Sequence, residues 1–225
     1  CVLCKIMESV IKEQLLSYLL IHNYITKHQH AFICNHSTTT NLLECLQDWS
    51  ISLNNKQYTD VIYFDFRRAF DSIVHSKLIL KLQTFGISGK LLTWLSAFLC
   101  NRTQRVVIEN CLSVESKVIS GVPQGSVLGP ILFIMFVNCI DSVCCGSTKF
   151  SLFADNLKLY SEIDIINGSN DLQMSIDKLV TWARDWQLDI NIDKCSVLGV
   201  HGFIRSAACK PNYFINGAVL SRFNS

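Results

Sequence analysis

Two apolar segments of this chain, ninety positions apart, each lead into an aspartate. Val61-Ile62-Tyr63-Phe64 precedes Asp65, and Phe150-Ser151-Leu152-Phe153-Ala154 precedes Asp155. A short continuous run of β-branched and aromatic residues is typical of a strand buried inside a sheet. A carboxylate at the end of such a strand is costly to bury unless it is paired or bound to a metal. A fold that brings both strand ends together would therefore create a site for divalent cations.

Neither aspartate is informative alone. Asp65 by itself is equally an exposed carboxylate at a strand end, and Asp155 in a hairpin is a common turn residue. The loop Gly121-Val122-Pro123-Gln124-Gly125 adds a third element, because glycine allows a ligand to approach the backbone and Gln124 offers both a donor and an acceptor. By itself this loop is only a strand-to-helix connector. Two carboxylates delivered in this way are what a divalent-metal site for phosphoryl transfer needs, and the joint occurrence of the three elements in this order is much less expected by chance than any one of them.

Composition narrows the class of protein without identifying a partner. Hydrophobic residues make up 49% and charged residues 17%, which is typical of a globular chain, and the net charge of +2 favours no kind of ligand. The eleven cysteines are scattered and odd in number, so we expect reduced, buried thiols, and Cys1-x-x-Cys4 lacks the second pair that a zinc site needs. No apolar run reaches the roughly 18–20 residues of a membrane span. We expect an intracellular protein, in the nucleus or the cytoplasm.

The periodicity of apolar residues predicts a mixed α+β chain with a palm-like domain and a helical appendage. Ser37 and the Thr38-Thr39-Thr40 run supply the predicted N-terminal cap of the second helix. Asn110 is the predicted turn between two strands, and a hairpin is predicted around Asp155-Asn156. The predicted helices are 6–20, 42–49, 75–85, 89–100, one that follows residue 126 and runs through 140, and 170–188; the predicted strands are 61–64, 104–109, 113–120, 150–154, 157–160, 195–200 and 212–220.

The chain resembles the reverse transcriptase domain of non-LTR (LINE-type) retrotransposons, particularly the jockey-like group. Residues 63–71, Tyr-Phe-Asp-Phe-Arg-Arg-Ala-Phe-Asp, are similar to the first palm motif of that family. Residues 120–130, Ser-Gly-Val-Pro-Gln-Gly-Ser-Val-Leu-Gly-Pro, are similar to its template- and nucleotide-contacting loop. Residues 153–156, Phe-Ala-Asp-Asn, stand where the family has Phe-Ala-Asp-Asp. Further ordered matches at 2–8, 86–104 and 186–195 extend the resemblance over nearly the whole chain.

The resemblance implies a right-hand polymerase with a ferredoxin-like antiparallel sheet and packed helices. It places partial helical fingers at 1–57, the palm at 58–200, and the end of the palm or a connection to a thumb at 201–225. The implied reaction is DNA synthesis on an RNA template from a DNA primer and deoxynucleoside triphosphates. Two Mg²⁺ ions, for which Mn²⁺ can substitute, would be needed.

The resemblance also implies a role for each matching residue. Asp65, Asp155 and the backbone carbonyl of Phe66 would bind the metals. Phe70 would lie under the sugar and exclude a 2′-hydroxyl. Gln124 and Gly125 would contact the nucleotide or template, and Lys194 would lie near the triphosphate or primer. We expect Asp71 to be structural.

The chain departs from the family pattern at three places. Asn156 replaces the second aspartate of the hairpin, which should keep the turn and weaken the metal site by one negative charge. In the fingers, Ala31, Ile33 and His36 replace a glycine and two basic residues of the family, so contacts with phosphate should be weaker. The chain also starts inside the fingers and stops early, so we expect a fragment with little or no thumb.

Three hypotheses follow from these departures. The first is a reverse transcriptase domain whose activity is impaired. The second is a non-catalytic nucleic-acid-binding remnant that uses scattered cations, and the third is a relic with no function. Paired carboxylates also occur in two-metal nucleases and phosphatases, but the Pro-Gln-Gly loop argues against both classes. The cations that the second hypothesis invokes are Arg67, Arg68, Lys90, Arg102, Arg105 and Lys194. The sequence gives no indication of oligomeric state.

Overall fold

The structure of the chain is a computed structural model that describes residues 2–163, 168–201 and 210–223. The chain forms two compact units. The first comprises Cys1–Ile25 and Arg68–Phe136, and the second comprises Thr26–Arg67 and Val137–Ser225. The predicted division at residues 57 and 200 into fingers, palm and a terminal segment stays a prediction, and part of the last segment lies outside the described residues.

The described helices follow the predicted order closely. They are α1 (Val2–Ile21), α2 (Thr38–Asn54), α3 (Ala69–Ser72), α4 (His75–Thr84), α5 (Gly89–Leu99), α6 (Gly129–Val137) and α7 (Gly168–Trp186), with 3₁₀ turns at Asn138–Val143 and Ile192–Lys194. The predicted N-cap of α2 is confirmed, since the Ser37 side chain accepts from the Thr40 N–H while the Thr40 hydroxyl accepts from the Ser37 N–H. The short helix α3 has no predicted counterpart. Within α1, Ile6 and Val10 are exposed although their spacing indicated a buried face.

The described strands are short except around the sheet of the second unit. They are β1 (Tyr58–Phe64), β2 (Arg102–Gln104), β3 (Val107–Ile108), β4 (Cys111–Leu112), β5 (Ser116–Val118), β6 (Lys149–Phe153), β7 (Asn156–Ile163), β8 (Ser196–Val200), β9 (Phe214–Ile215), β10 (Ala218–Val219) and β11 (Ser221–Arg222).

A five-stranded sheet in the order β11-β8-β1-β7-β6 is the centre of the second unit. The β6–β7 hairpin places β7 beside β1, and α7 then leads to β8 on the other side of β1. Strands β8, β1, β7 and β6 are antiparallel to their neighbours, as in a ferredoxin-like sheet, and β11 adds a parallel edge. Because β1 pairs on both sides and is buried along nearly its whole length, its continuous apolar sequence is explained.

Helices α2 and α7 cover parts of this sheet. Helix α2 contacts β1 and β6, and α7 contacts β7. Cys45 and Trp49 of α2 pack with Val61 and Tyr160 in one buried cluster. Residues of α7 at helical spacing are buried, which confirms the predicted amphipathic helix; they are Leu172, Ile176, Leu179, Trp182 and Ala183.

A buried ion pair attaches β11 to the sheet. Asp60 of β1 is 0% exposed, and its carboxylate accepts from both terminal nitrogens of Arg222, at 2.6 and 3.1 Å. The hydroxyls of Tyr58 and Tyr213 donate to the same carboxylate at 2.7 and 2.9 Å. Four donors therefore satisfy a charge that burial alone would make costly.

In the first unit, the predicted hairpin around Asn110 divides into two ladders. β2 pairs with β5 and β3 pairs with β4, both antiparallel, and the turn lies at residues 109–110 as expected. The prediction of two continuous strands is wrong here. The side chains of this hairpin are mostly exposed, so no buried face holds a long register together.

The cysteines of the described residues differ in their exposure. Nine cysteines lie in the described residues, all as free thiols, while Cys1 and Cys209 lie outside them, so the Cys1-x-x-Cys4 spacing remains untested. The expected burial is wrong for Cys4, Cys34 and Cys111, which are exposed. Within the ranges that the structure describes, the helices lack the combination of length and apolarity needed to cross a membrane.

Candidate active site

Asp65 is placed by the strand that precedes it and by a neighbouring segment. Phe64 is the last residue of β1 and pairs with Leu157 of β7. After it, the Asn191 N–H donates to the Asp65 carbonyl at 2.8 Å, and the Arg67 N–H donates to the Asp189 carbonyl at 2.7 Å. The backbone of Asp65 is therefore fixed between the sheet and the chain that follows α7, which leaves its side chain one-third exposed at 32%.

The same bridge determines the setting of Phe66. Phe66 lies opposite Ile190, but the two hydrogen bonds of the bridge use the Asp65 carbonyl and the Arg67 N–H. The Phe66 carbonyl therefore takes no part in this bridge. The ring of Phe66 is buried and lies 6.3 Å from the ring of Trp182, which fixes the backbone at this point.

Asp155 occupies the tip of the β6–β7 hairpin. Phe153 pairs with Asn156, so the two-residue turn consists of Ala154 and Asp155. The prediction of a turn at Asp155-Asn156 is thus shifted by one residue. The left-handed conformation belongs to Ala154, with φ of 55°, whereas Asn156 is the exposed first residue of β7. Asn156 therefore supports the hairpin by pairing with Phe153 in the β6–β7 ladder. This role does not depend on the ability of asparagine to adopt a left-handed turn conformation.

The electrostatics of Asp155 reflect both its burial and its charged neighbours. Burial raises the pKa of the Asp155 carboxyl, and the negative charge of Asp65 raises it further. The backbone N–H of Asp155 and the charge of Lys194 act in the opposite direction. Lys194 Nζ lies 3.7 Å from Asp65 Oδ2. The structure therefore brings Asp65, Asp155 and Lys194 together at one end of the sheet in the second unit.

The donors at this end of the sheet suit a hard divalent cation. Carboxylate and carbonyl oxygens are the ligands that Mg²⁺ and Mn²⁺ prefer, and two neighbouring carboxylates repel each other until a cation is bound. Among the described residues, no group of three or more His, Cys, Asp or Glu side chains is arranged to hold a metal ion. Burial raises the pKa of the nearby Cys195 thiol, which favours its protonated form in the absence of metal. The residues at this end of the sheet therefore offer a divalent cation two carboxylates, and an amide stands at position 156.

The Pro-Gln-Gly loop belongs to the first unit and is tied to the first palm motif. Gln124 Nε2 donates to Asp71 Oδ1 at 2.8 Å, and Ser120 Oγ donates to the Asp71 carbonyl at 2.8 Å. A Cβ at Gly121 would lie 2.8 Å from the Asp71 backbone, which explains why glycine stands there. Asp71 is thus engaged in bonds that hold the loop. Gly125, with φ of 73°, has open space beside it.

Phe70 and a basic groove complete the first unit's candidate residues. The rings of Phe70 and Phe133 stack with their centroids 4.1 Å apart, so Phe70 has a fixed position. A groove of about 750 Å³ lies along the loop and the β2–β5 hairpin, and its cations are Arg68, Arg102 and Lys117. Phe70, Gln124 and Gly125 therefore lie in one unit, whereas Asp65, Asp155 and Lys194 lie in the other.

The altered fingers segment makes local contacts. His36 Nδ1 lies 3.0 Å from the Gln29 carbonyl, and the rings of His36 and His30 are stacked at 4.8 Å. His28 and His30 each contact one carboxylate oxygen of Glu44, at 2.8 and 2.7 Å. These histidines are thus engaged with neighbouring protein groups.

One functionally placed residue was not predicted from the sequence. Glu8 of α1 is buried, and its Oε2 accepts from the N–H groups of Val127 and Leu128 at 2.7 and 3.2 Å. These are orphan donors at the start of α6, directly after the Pro-Gln-Gly loop. Its spacing from Leu15 and Leu19, the other buried residues of α1, is the signal that could have drawn attention to it.

Comparison with known proteins gives the family directly. The model of the reverse transcriptase (RNA-dependent DNA polymerase) family matches residues 1–204. The chain is 28% identical over 224 residues to the RNA-directed DNA polymerase from mobile element jockey of Drosophila funebris, covering 96% of this chain and 24% of the relative. It is 28% identical over 197 residues to the probable RNA-directed DNA polymerase from transposon X-element of Drosophila melanogaster, covering 84% and 21%. The chain thus spans about a quarter of the length of these curated relatives.

Solved structures show the same fold at low sequence identity. Telomerase from Candida tropicalis in complex with a TWJ fragment of telomeric RNA superposes with a TM-score of 0.65 and 12% identity, covering 90% of this chain and 34% of that chain. The apo telomerase truncated from its C-terminal domain gives a TM-score of 0.63 and 13% identity, covering 97% and 44%. The predicted palm-type polymerase fold and the resemblance to non-LTR retrotransposon polymerases are confirmed. The chain belongs to the reverse transcriptase (RNA-dependent DNA polymerase) family.

Proposed function

We propose that this chain carries out RNA-templated DNA synthesis as the polymerase part of a non-LTR retrotransposon protein, with activity reduced by Asn156. One observation carries the proposal: Asp65 directly follows Phe64 of β1, which pairs with Leu157 of β7, and Asp155 is at the tip of the β6–β7 hairpin, so both carboxylates lie at the same end of the sheet. Such a pair of acidic groups on rigid strands is what nucleotidyl transfer with divalent cations requires. The expected substrates are found inside cells, so we propose an intracellular location.

The side chains of Asp65 and Asp155 and the carbonyl of Phe66 would hold the cations, which we propose to be Mg²⁺ with Mn²⁺ as a substitute. When bound, such ions stabilise both the attacking and the leaving oxygens of an in-line displacement. The protein's part is to hold the carboxylates in place at the end of the sheet. Lys194 assists, because its charge lowers the pKa of Asp155 and its side chain, 66% exposed, can reach a phosphate in solution.

Asn156 defines the expected weakness of the site. Two divalent cations repel each other strongly, so each carboxylate around them lowers the cost of binding the second. The amide of Asn156 offers an oxygen but no charge. The hairpin itself is retained, since Asn156 pairs with Phe153 in the ladder. We therefore propose a folded polymerase with weakened affinity for the second cation.

Nucleic acid is the proposed partner of the first unit. The groove that contains Arg68, Arg102 and Lys117 presents three cations against one carboxylate, Asp71, and this excess of positive charge suits the phosphates of an RNA template or DNA primer. The telomerase neighbour in complex with a telomeric RNA fragment supports the same class of ligand. We propose that Phe70, fixed by Phe133, excludes a 2′-hydroxyl, and that Gln124 and Gly125 contact the nucleotide or template.

A catalytically inactive nucleic-acid-binding remnant is the second candidate. The absence of a third charged ligand beside Asp65 and Asp155, among the described residues, favours it. The first experiment is primer extension with an RNA template, Mg²⁺ or Mn²⁺ and deoxynucleotides, using the wild type and Asp65→Asn. We expect slow extension that Asp65→Asn abolishes. Salt-dependent duplex binding without any extension, in either cation, would instead support the remnant.

A further inference from the structure

The turn that carries Asp155 is held by a side chain from a distant part of the second unit. Gln29 Oε1 accepts a hydrogen bond from the Ala154 N–H at 3.0 Å and another from the Ala31 N–H at 2.9 Å. Gln29 is 1% exposed, so both bonds are made away from solvent. Ala154 is the residue directly before the proposed metal ligand, and any change at Ala154 moves the Asp155 backbone.

The backbone around Gln29 is fixed to the same hairpin. The His30 N–H donates to the Leu152 carbonyl at 3.0 Å, and the Leu152 N–H donates to the His28 carbonyl at 2.9 Å. Gln29 thus lies beside Leu152 in a parallel bridge at the edge of β6. Its side chain starts from an anchored backbone and reaches two residues further along the hairpin, to the turn.

The contact falls on the most strained point of the hairpin. Ala154 has a φ of 55°, in the region that non-glycine residues seldom adopt. Two-residue hairpins that need a positive φ at the first central residue usually carry glycine there. Such strain is unfavourable and persists only where surrounding contacts enforce it. The bond from the Ala154 N–H to Gln29 is a buried contact of that kind.

The orientation of the Gln29 amide follows from its neighbours. Two backbone N–H groups face Oε1, so a flipped amide would place donors against donors. Gln29 Nε2 is buried and has no hydrogen-bond partner within the described residues. An unpaired buried donor is unfavourable. Gln29 therefore stabilises this region through the two hydrogen bonds that its Oε1 accepts.

We propose that Gln29 is a positioning residue for Asp155: it holds Ala154 in the left-handed conformation and so fixes the direction in which the Asp155 carboxylate points. The binding of a metal ion by Asp155 rests on the proposed function. The hydrogen bond from the Ala154 N–H to Gln29, which holds the turn, does not depend on that function. Gln29 touches neither nucleotide nor cation in this role. It acts through the backbone of the turn.

Three variants test this role. Gln29→Met keeps the length of the side chain and removes the oxygen, whereas Gln29→Glu keeps an oxygen acceptor at the same place. The control is Asn41→Leu, because buried Asn41 also supports β6, donating to Ser151 Oγ and the Leu152 carbonyl at 2.6 and 3.0 Å, but does not bond to the turn. The readouts are amide hydrogen exchange of Ala154 relative to Leu159, and the dissociation constant of Mn²⁺.

We expect Gln29→Met to raise the relative exchange rate of Ala154 about five- to tenfold, the effect of one net hydrogen bond, and to weaken Mn²⁺ binding several-fold. Gln29→Glu should restore the protection of Ala154. Asn41→Leu should lower stability without changing the ratio of the two exchange rates. Unchanged Ala154 exchange in Gln29→Met, or an equal loss of Mn²⁺ binding in Asn41→Leu, would overturn the proposal. Failure of the wild type to bind Mn²⁺ would contradict the proposed function, and the exchange rates would still decide whether Gln29 holds the turn.

Discussion

Lys194 Nζ lies 3.7 Å from Asp65 Oδ2, so a cation already stands beside the carboxylate that ends the central strand. Lys194 is at the end of a 3₁₀ turn whose preceding segment also bonds to the backbone of Asp65. This arrangement gives the two aspartates a counter-charge before any metal or nucleotide arrives. The Lys194 side chain is 66% exposed, so its ammonium group also faces solvent.

Replacing Lys194 should therefore change the titration of the aspartate pair. In Lys194→Met we expect the pKa of Asp155 to rise, because the charge of Lys194 lowers it in the wild type. Carboxyl ¹³C NMR titration measures this directly. Lys149→Met is the matched control, since Lys149 is similarly exposed and pairs with Asp48 at 2.8 Å in the same unit. An equal rise in the control would refute the specific role of Lys194.

The raised pKa of Asp155 predicts a pH dependence of stability in metal-free buffer. The Asp155 carboxyl loses its proton at about pH 3.9 in the unfolded chain. In the folded chain it loses the proton at higher pH. Between these values the folded chain binds more protons, so the free energy of unfolding falls as pH rises through that window. Asp155→Asn should then be more stable than the wild type at pH 7 and equal to it at pH 3.

Thermal unfolding at both pH values checks this prediction. Asp193→Asn is the control, because Asp193 is exposed and lies 3.8 Å from Arg67. Mn²⁺ should raise the melting temperature of the wild type and leave that of Asp155→Asn nearly unchanged. A difference between wild type and Asp155→Asn that is the same at pH 3 and pH 7 would show that the Asp155 charge is not its cause.

The buried pair of Asp60 and Arg222 should dominate the stability of the second unit. Arg222→Met leaves a fully buried carboxylate without its cation, which typically costs about 3–5 kcal/mol. The exposed pair of Arg105 and Glu115, at 2.6 Å, is the comparison, and Arg105→Met should cost far less because solvent screens an exposed pair. Urea unfolding measures both values. A similar loss of unfolding free energy in the two variants would mean that the burial of Asp60 does not determine the cost of removing its cation.

Glu8 should stabilise the start of α6 through its two backbone bonds. Glu8→Gln keeps an acceptor but loses the charge that favours a helix N-terminus, so we expect a loss of about 0.3–1 kcal/mol. Glu8→Ala leaves two N–H groups without their acceptor and should cost about 1–3 kcal/mol. Chemical unfolding gives these values, with Glu13→Gln, an exposed position on α1, as the control. Equal costs at positions 8 and 13 would contradict the capping role.

Local sequence patterns were sufficient for much of the fold. The apolar run before Asp65 predicted a central strand because a strand paired on both sides buries both of its faces. Ser37 predicted the start of α2 because its hydroxyl satisfies a backbone donor that the helix cannot. The family resemblance supplied the palm-type sheet, whose order depends on long-range pairing that no local pattern encodes.

The missed features depend on tertiary contacts. The turn at Ala154 lies one residue before the predicted one, because the Gln29 side chain supports a left-handed alanine that turn statistics disfavour. The hairpin after Arg102 has exposed strands, so its alternating pattern predicted a longer ladder than forms. Glu8 and Gln29 are polar residues whose partners lie more than one hundred positions away in sequence, and their roles become visible only in the structure.

The central claim is that Asp65 and Asp155 are the surviving carboxylates of a polymerase site that Asn156 weakens. Primer extension on an RNA template, comparing the wild type with Asn156→Asp at several Mg²⁺ concentrations, tests it most directly. We predict that Asn156→Asp raises the extension rate on the order of 10- to 100-fold, the size of effect expected for one added electrostatic contact to the reacting groups, and lowers the Mg²⁺ concentration required. Equal extension by the two chains at every Mg²⁺ concentration would contradict the claim.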